Sequence, residues 1–380
     1  MLGLTSEKLT PEQKMILETT QELVKQKIAP RAKEVDAVGE FPYDILDQYR
    51  EQGFLRVMLP EEYGGIGADT TMMCLIIEEI AKACASSAIS LVGHTTGTVA
   101  FLSSSTPKQR ERFIGQDKDF FFAISISEPN IGSDVSGMST KAVLQGDNYI
   151  LNGRKCFVTN GGAANLYVVF ARTGPERIDG ISAFLVEKDT PGFSVGVKAD
   201  KMGFRGSSTT ELIFQNAVVP KENLLSAAGG FKNVMKTLEK MRVVVGSLAL
   251  GIAEGALDYA LGYVQERQQF GRPIGDFQGM RFMLADMATK VAVTRLLIYK
   301  AAEAFDQKLP SSNMYASMAK YWASDIAMEV TTNAVQCLGG YGYYKDYPVE
   351  RMMRDAKAVQ IFEGTNQIQR GIVAKEILKK

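Results

Sequence analysis

Along this chain the spacing of the apolar residues changes twice, and those two changes decide what it can fold into. From Thr10 to about residue 119 apolar side chains recur at helical steps. From Phe120 to Phe214 they gather in short β-branched and aromatic runs, and beyond Gly229-Gly230 the helical step returns and holds. A segment of period 3.6 and one of period 2 bury different faces, so they belong to different layers. At 380 residues the chain also exceeds what one core usually serves. The reading is α+β in three parts. An N-terminal α-helical domain covers 1–120, a middle antiparallel β-barrel or sandwich domain 121–228, and a C-terminal four-helix bundle 229–380.

Local signals fill in the outline. Thr10 caps the first helix, Pro11 takes its first position and Gln13 closes a capping box. Ile16, Leu17, Leu23, Val24 and Ile28 share one face until Pro30 interrupts the run. Further helices are expected at Tyr43 to Gly53, about Thr71 to Lys82, about Ser87 to Leu102 and after Pro107, with a loop over 59–67. Strand-like runs occupy 121–126, 166–170, 181–186 and 211–214, parted by turn residues at 145–148, 160–162, 179–180 and 191–192. The bundle helices are expected at about 231–267, 277–307, 312–338 and 349–378.

Composition excludes several classes. Lys plus Arg and Asp plus Glu each number 43, so no net charge favours nucleic acid or an anionic membrane. Cys74, Cys84, Cys156 and Cys337 form no CxxC pair, and His94 is the one histidine, which argues against zinc or any other metal. Scattered cysteines and the lack of a signal-peptide pattern read as reduced thiols of a cytoplasmic protein. The apolar stretch from Val243 to Ala253 is too short to span a bilayer. His94 reads as a helix residue bonded locally, with a catalytic role the lesser alternative.

Four stretches could carry chemistry. Ser125 to Asp134 follows a strand-like run with hydroxyls and exposed N–H groups suited to a carbonyl-rich ring or a phosphate, or it is a loop capping itself. Arg267 to Arg272 contains an arginine able to grip a pyrophosphate, or simply to meet a helix terminus. Gln336 to Gly342 holds paired glycines that permit close backbone approach, or end a helix. Lys357 to Arg370 places Glu363 between Ile361-Phe362 and a Gly-Thr-Asn turn, where partial desolvation would raise its pKa and make it a proton acceptor. A solvated, helix-ending Glu is the plainer reading of that last stretch. Neither GxGxxG opening a βαβ unit nor GxxxxGK[ST] occurs, so a Rossmann site and a P-loop are unsupported.

Taken together, Ser-Glu-Pro-x-x-Gly-Ser-Asp at 127–134, Arg-x-x-Phe-Gly at 267–271, Gln-x-x-Gly-Gly-x-Gly-Tyr at 336–343 and Phe-Glu-Gly-Thr-Asn-x-Ile-Gln-Arg at 362–370 resemble the acyl-CoA dehydrogenases over essentially the whole chain. The resemblance implies FAD bound between the β domain and the bundle, with part of the site supplied by a neighbouring subunit of a homotetramer. It assigns the isoalloxazine to Ile124 through Ser133, including Ile126, Ser127 and Gly132, and to Phe157, Val158 and Thr159. Arg267, Phe270 and Gln278, with Gln336, Gly339 and Gly340, would hold the pyrophosphate and adenosine half, and Thr365 and Gln367 the nucleotide beside the catalytic loop. Ser133, Glu239, Arg242 and Gly364 would contact the acyl-CoA; the family more often has Asp at position 239 and a small residue at 131.

The implied reaction is α,β-dehydrogenation of an acyl-CoA to the trans-2-enoyl-CoA, with Glu363 taking the α-proton and the flavin N5 the β-hydride. Some relatives place the base on a bundle helix, and the matching position here is Met241, which accepts no proton. No Asp, Glu, Lys or Arg lies between Lys82 and Lys108, where the family builds its acyl pocket. The acyl group is therefore expected to be uncharged: short, branched or cyclic. The expected electron acceptor is an electron-transfer flavoprotein. Two alternatives remain: an oxygen-using oxidase or monooxygenase of the same fold, and a non-enzymatic helical scaffold.

Overall fold

The computed structural model describes residues 9–226 and 231–378; the boundary placed between 228 and 229, with Gly229-Gly230, lies outside them. Helix α1 (Pro11–Leu23) starts with the expected capping box, Thr10 and Gln13 each serving the other's backbone N–H. Pro30 does not end the run. The chain widens into a π-turn over Val24–Ile28, tightens through Ala29–Arg31 and continues as α2 (Ala32–Val38). A proline lacks the N–H for the carbonyl four residues back, and the wider turn before it absorbs that mismatch. Helices α3 (Tyr43–Glu51), α4 (Thr70–Ala83), α5 (Ala85–Ser104) and α6 (Pro107–Ile114) follow.

Helix α5 is uncharged and almost wholly buried, and it lies against both the sheet and the bundle. His94, at its centre, donates from Nε2 to Leu55 O (2.8 Å) and accepts at Nδ1 from the Phe122 N–H (3.1 Å). Its principal partners are thus distant in sequence, contrary to the expectation of local bonding. Burial pushes its pKa down to about 4, so the ring is a neutral clamp between three segments.

The middle region holds β1 (Phe122–Ser125), β2 (Lys141–Gln145), β3 (Asn148–Thr159), β4 (Leu166–Arg172), β5 (Ile181–Glu187), β6 (Phe193–Lys198), β7 (Thr209–Pro220) and β8 (Leu224–Ser226). The sheet order is β6-β7-β3-β2-β4-β5-β8, antiparallel except where β1 and one residue of β2 pair with β4. A bulge where β3 slips against β7, between Lys155 and Val158, turns Phe157 into a left-handed conformation (φ 58°).

The C-terminal region contains α7 (Phe231–Glu266), the small hairpin β9 (Gln268–Gln269) and β10 (Arg272–Pro273), α8 (Gln278–Asp306), α9 (Ser312–Leu338), α10 (Pro348–Val359) and α11 (Asn366–Ile377). Helix α7 is long and apolar enough to cross a bilayer, but most of it is buried inside the molecule. The expected fourth helix over 349–378 is two helices, broken at Gln360–Thr365. Buried apolar side chains of all three regions form one continuous core, so the break is held on a rigid body.

Candidate active site

The break between α10 and α11 is built by its own residues and by one face of α9. Thr365 caps α11, its hydroxyl oxygen accepting from the Ile368 N–H (3.3 Å). Glu363 (φ 53°) and Gly364 (φ 87°) are both left-handed. For a glutamate that conformation costs about 1–3 kcal/mol, so something must hold it. Gln369 Nε2 donates to the carbonyls of Glu363 and Gly364 (3.2 Å each). Lys320 Nζ donates to Gly364 O (2.8 Å) and Asn366 Oδ1 (3.1 Å). Asn366 Nδ2 and Gln360 Nε2 both donate to Asp325 Oδ1 (2.8 and 2.7 Å). A side chain at position 364 would come within 2.5 Å of Gln369 Nε2 and displace that amide, and the left-handed φ itself calls for glycine.

The Glu363 carboxylate meets two opposing effects. Burial pushes its pKa up, while Arg242 on α7 and Lys320 on α9 pull it down. Arg242 is itself pressed down by burial, and its Nη1 donates to Asn313 Oδ1 (2.8 Å). One turn earlier, burial raises Glu239 against the pull of Arg242 and Lys236. The chain thus alternates charges, Glu239, Arg242, Glu363, Lys320, around the break. Met241 is fully buried, so the alternative base position is part of the core. The Phe362 ring packs edge-on against Phe204 of the loop before β7 (6.1 Å), whose N–H is held by Asp355 of α10.

The sheet side of the site hangs on Glu128. Its carboxylate accepts from the N–H groups of Ser139 (2.8 Å) and Thr140 (2.9 Å) and from the Ser139 hydroxyl, and pairs with Lys155 (2.9 Å). Burial opposes both charges. At Glu128 the pair and the donors win, and the pKa falls to about 2; at Lys155 burial wins, with a pKa lowered to about 8. Both groups are therefore charged at neutral pH. Lys155 also reaches Ile126 O (3.2 Å) and Cys156 N–H bonds Ser127 O (3.0 Å), which brings Ile124–Ser127 beside Phe157–Thr159. The Phe157 ring is 76% exposed, whereas the Val158 side chain is buried in the core and offers only its backbone. Gly132 and Ser133 are exposed beyond this hub.

Arg267, Phe270, Gln278, Gln336, Gly339 and Gly340 gather at the ends of α7, α8 and α9 as a second, exposed patch. The Arg267 guanidinium lies over the Tyr341 ring (5.4 Å), Phe270 is 93% exposed, and open space surrounds Gly339 and Gly340. Gln367 is exposed on the first turn of α11, beside Thr365. Sequence reasoning missed Lys155, Lys320, Asp325 and Gln369. The one signal for Lys320 is a lysine at helical spacing among Ala316, Ala319, Ala323 and Ala327, all buried.

Three family descriptions match in order: "Acyl-CoA dehydrogenase, N-terminal domain" over 10–116, "Acyl-CoA dehydrogenase, middle domain" over 123–217 and "Acyl-CoA dehydrogenase, C-terminal domain" over 228–378. The chain is 46% identical to the cyclohex-1-ene-1-carbonyl-CoA dehydrogenase of Geobacter metallireducens, across 97% of this chain and 99% of that protein. It superposes with a TM-score of 0.94 on butyryl-CoA dehydrogenase from Megasphaera elsdenii, at 42% identity over 98% of this chain and 99% of that one. A chain from the structural study "Electron transferring flavoprotein of Acidaminococcus fermentans: Towards a mechanism of flavin-based electron bifurcation" gives 0.95 at 45% identity, covering 98% and 99%. The chain belongs to the acyl-CoA dehydrogenase family, FAD-dependent oxidoreductases that dehydrogenate acyl-CoA thioesters.

Proposed function

We propose that this enzyme converts an uncharged short, branched or cyclic acyl-CoA to its trans-2-enoyl-CoA, with Glu363 as the base that removes the α-proton. The observation that carries the reading is the left-handed Glu363, a carboxylate made basic by burial yet held near two cations. An α-proton of a thioester is weakly acidic, so its removal needs a positioned base and a polarised carbonyl. Among the described residues the Glu363 N–H makes no hydrogen bond, which leaves it to polarise the thioester oxygen. The edge-on packing of Phe362 against Phe204 places an apolar pair next in sequence to Glu363. Ser133, Glu239, Arg242 and Gly364 would line the CoA path.

The residues present fit FAD. Gly132, Gly339 and Gly340 leave open space where side chains would stand, Phe157 offers an exposed ring, and Arg267, Gln278 and Gln336 are exposed donors. Ile124, Ile126, Ser127, Ser133, Phe157 and Thr159 would hold the flavin ring, with the Val158 backbone. Arg267, Phe270, Gln278, Gln336, Gly339 and Gly340 would hold the pyrophosphate and adenosine half, part of the site coming from a neighbouring subunit. Thr365 and Gln367 would contact the nucleotide; the Thr365 oxygen serves α11, so its hydroxyl proton is the part left to donate. When bound, FAD supplies the acceptor for the β-hydrogen, taken up as hydride at the flavin N5.

The uncharged, buried α5 supports an uncharged acyl group, as do relatives named for butyryl and cyclohexenecarbonyl thioesters. Exposed Phe282, Leu296 and Tyr343 on the bundle suit a homotetramer. An electron-transfer flavoprotein is the proposed acceptor and the cytoplasm the proposed compartment. The test is the visible spectrum of the purified protein, then anaerobic titration with a panel of acyl-CoA thioesters. Bleaching of the flavin bands by an uncharged thioester is expected, and its loss in Glu363→Gln with flavin retained. Bleaching that persists in that variant would remove Glu363 as the base.

A further inference from the structure

Among the described residues two lysines are completely buried, Lys155 and Lys320. Lys155 is explained by its ion pair with Glu128. Lys320 makes no ion pair within 4.0 Å among the described residues; its ammonium donates to the Gly364 carbonyl (2.8 Å) and to Asn366 Oδ1 (3.1 Å). Burying an ammonium without a touching carboxylate is expensive, and a neutral amide could make the same two bonds. Neutral donors are already there. Gln369 bonds the same Gly364 carbonyl (3.2 Å), and Asn366 is held independently by Ser324 Oγ (2.9 Å) and Asp325 (2.8 Å). The loop is thus tied down by amides, and what Lys320 adds is charge.

That charge acts on Glu363. We infer that Lys320 is a positioning residue for this site: its ammonium, seated on the Gly364 carbonyl beside the left-handed Glu363, sets the charge that the carboxylate meets. The inference rests on the reading of Glu363 as base. The charged groups facing Glu363 are Arg242 from α7 and Lys320 from α9; those facing Lys320 are Glu363, Asp325 and Arg242. Burial, with Arg242 adding to it, lowers the Lys320 pKa to about 8 against the pull of Glu363 and Asp325. The ammonium is therefore charged at neutral pH. Its removal withdraws one of the two cations that oppose the burial of Glu363, so the carboxylate holds its proton to higher pH.

The experiment is anaerobic stopped-flow reduction of the enzyme-bound flavin by saturating butyryl-CoA, across pH, in wild type, Lys320→Met, Lys320→Gln and Glu363→Gln. Lys320→Met removes donor and charge, and the rate at neutral pH is expected to fall by about a hundred-fold. Lys320→Gln keeps a donor for the Gly364 carbonyl and loses less. In both, the acidic limb of the rate profile moves up by about one pH unit. A merely structural role would lower yield or melting temperature and leave that limb in place. An unmoved limb in Lys320→Gln, with a rate within about three-fold of wild type, overturns the inference. If Lys320→Met loses its flavin, the same limb in Lys320→Gln decides. Flavin reduction that survives in Glu363→Gln strikes the base reading itself, and this inference with it.

Discussion

Glu128 and Glu363 are the same side chain in two places, the first buried and the second half-buried, and they end with opposite chemistry. Glu128 has an ion pair and three hydrogen-bond donors around its two oxygens. Glu363 has cations near it and, among the described residues, no donor on its carboxylate. The first is driven to about 2, the second upward. A carboxylate saturated with donors is a fastener. One that is desolvated and left without donors is ready to take a proton.

The widest separation between the two should appear on turning each acid into its amide. Glu363→Gln is expected to slow thioester-driven flavin reduction by about a thousand-fold or more with an unchanged melting temperature. Glu128→Gln should do the converse: it strands Lys155 without its countercharge and destabilises the fold by about 3–5 kcal/mol, read from denaturant unfolding. Removing both Glu128 and Lys155 with apolar residues should recover much of that loss, because neither charge is then left buried alone. A double-mutant cycle that shows simple additivity would break the pairing.

A smaller effect is expected from Gly364→Ala. The new methyl group meets Gln369 at 2.5 Å and a backbone φ of 87°, so the loop shifts while Glu363 remains chemically intact. Flavin reduction should slow by about ten- to a hundred-fold with cofactor content unchanged. The least effect is on pH dependence. With Glu363 as the proposed base, its raised pKa predicts that activity is lost as pH falls through a value above the ordinary one of about 4.3. Glu128, held at about 2 when folded, contributes stability that is full above about 4.3 and lost only as pH falls below it. The difference in melting temperature between wild type and Glu128→Gln should therefore still be full where activity has already failed. His94, held at about 4, adds a decline in stability that begins below about 6.5 in both proteins and cancels in that difference.

Much of this was legible in the amino acids, and the exceptions have physical reasons. Ile361-Phe362 before Glu363, and Gly364-Thr365-Asn366 after it, mark both the desolvation and the turn, yet the periodicity of 349–378 runs across the break. Strands β2, β3 and β6 escaped because each has exposed positions and carries a lysine, to which β3 adds asparagines and a glycine and β6 a glycine. The runs at 121–126 and 211–214 fall on β1 and β7, and two further recognised runs, β4 and β5, are buried on both faces. The resemblance assigns Val158 to the flavin; its side chain is buried, so its backbone is the part left for that role. Beyond its spacing among alanines, nothing in the sequence reports what Lys320 does. Its partners are the Gly364 carbonyl, 44 residues away, and the Asn366 amide, 46 away, and no local pattern reports either.

The break between α10 and α11 has one more consequence. An uninterrupted helix uses its amide hydrogens internally, four residues at a time. By reversing its twist at Glu363, the chain presents an amide hydrogen and a carboxylate from one residue, joined by a handful of covalent bonds. The group that would grip the thioester oxygen and the group that would take its neighbouring proton therefore travel as one piece. Drift of the loop can mislay the substrate, but it cannot pull those two groups far apart.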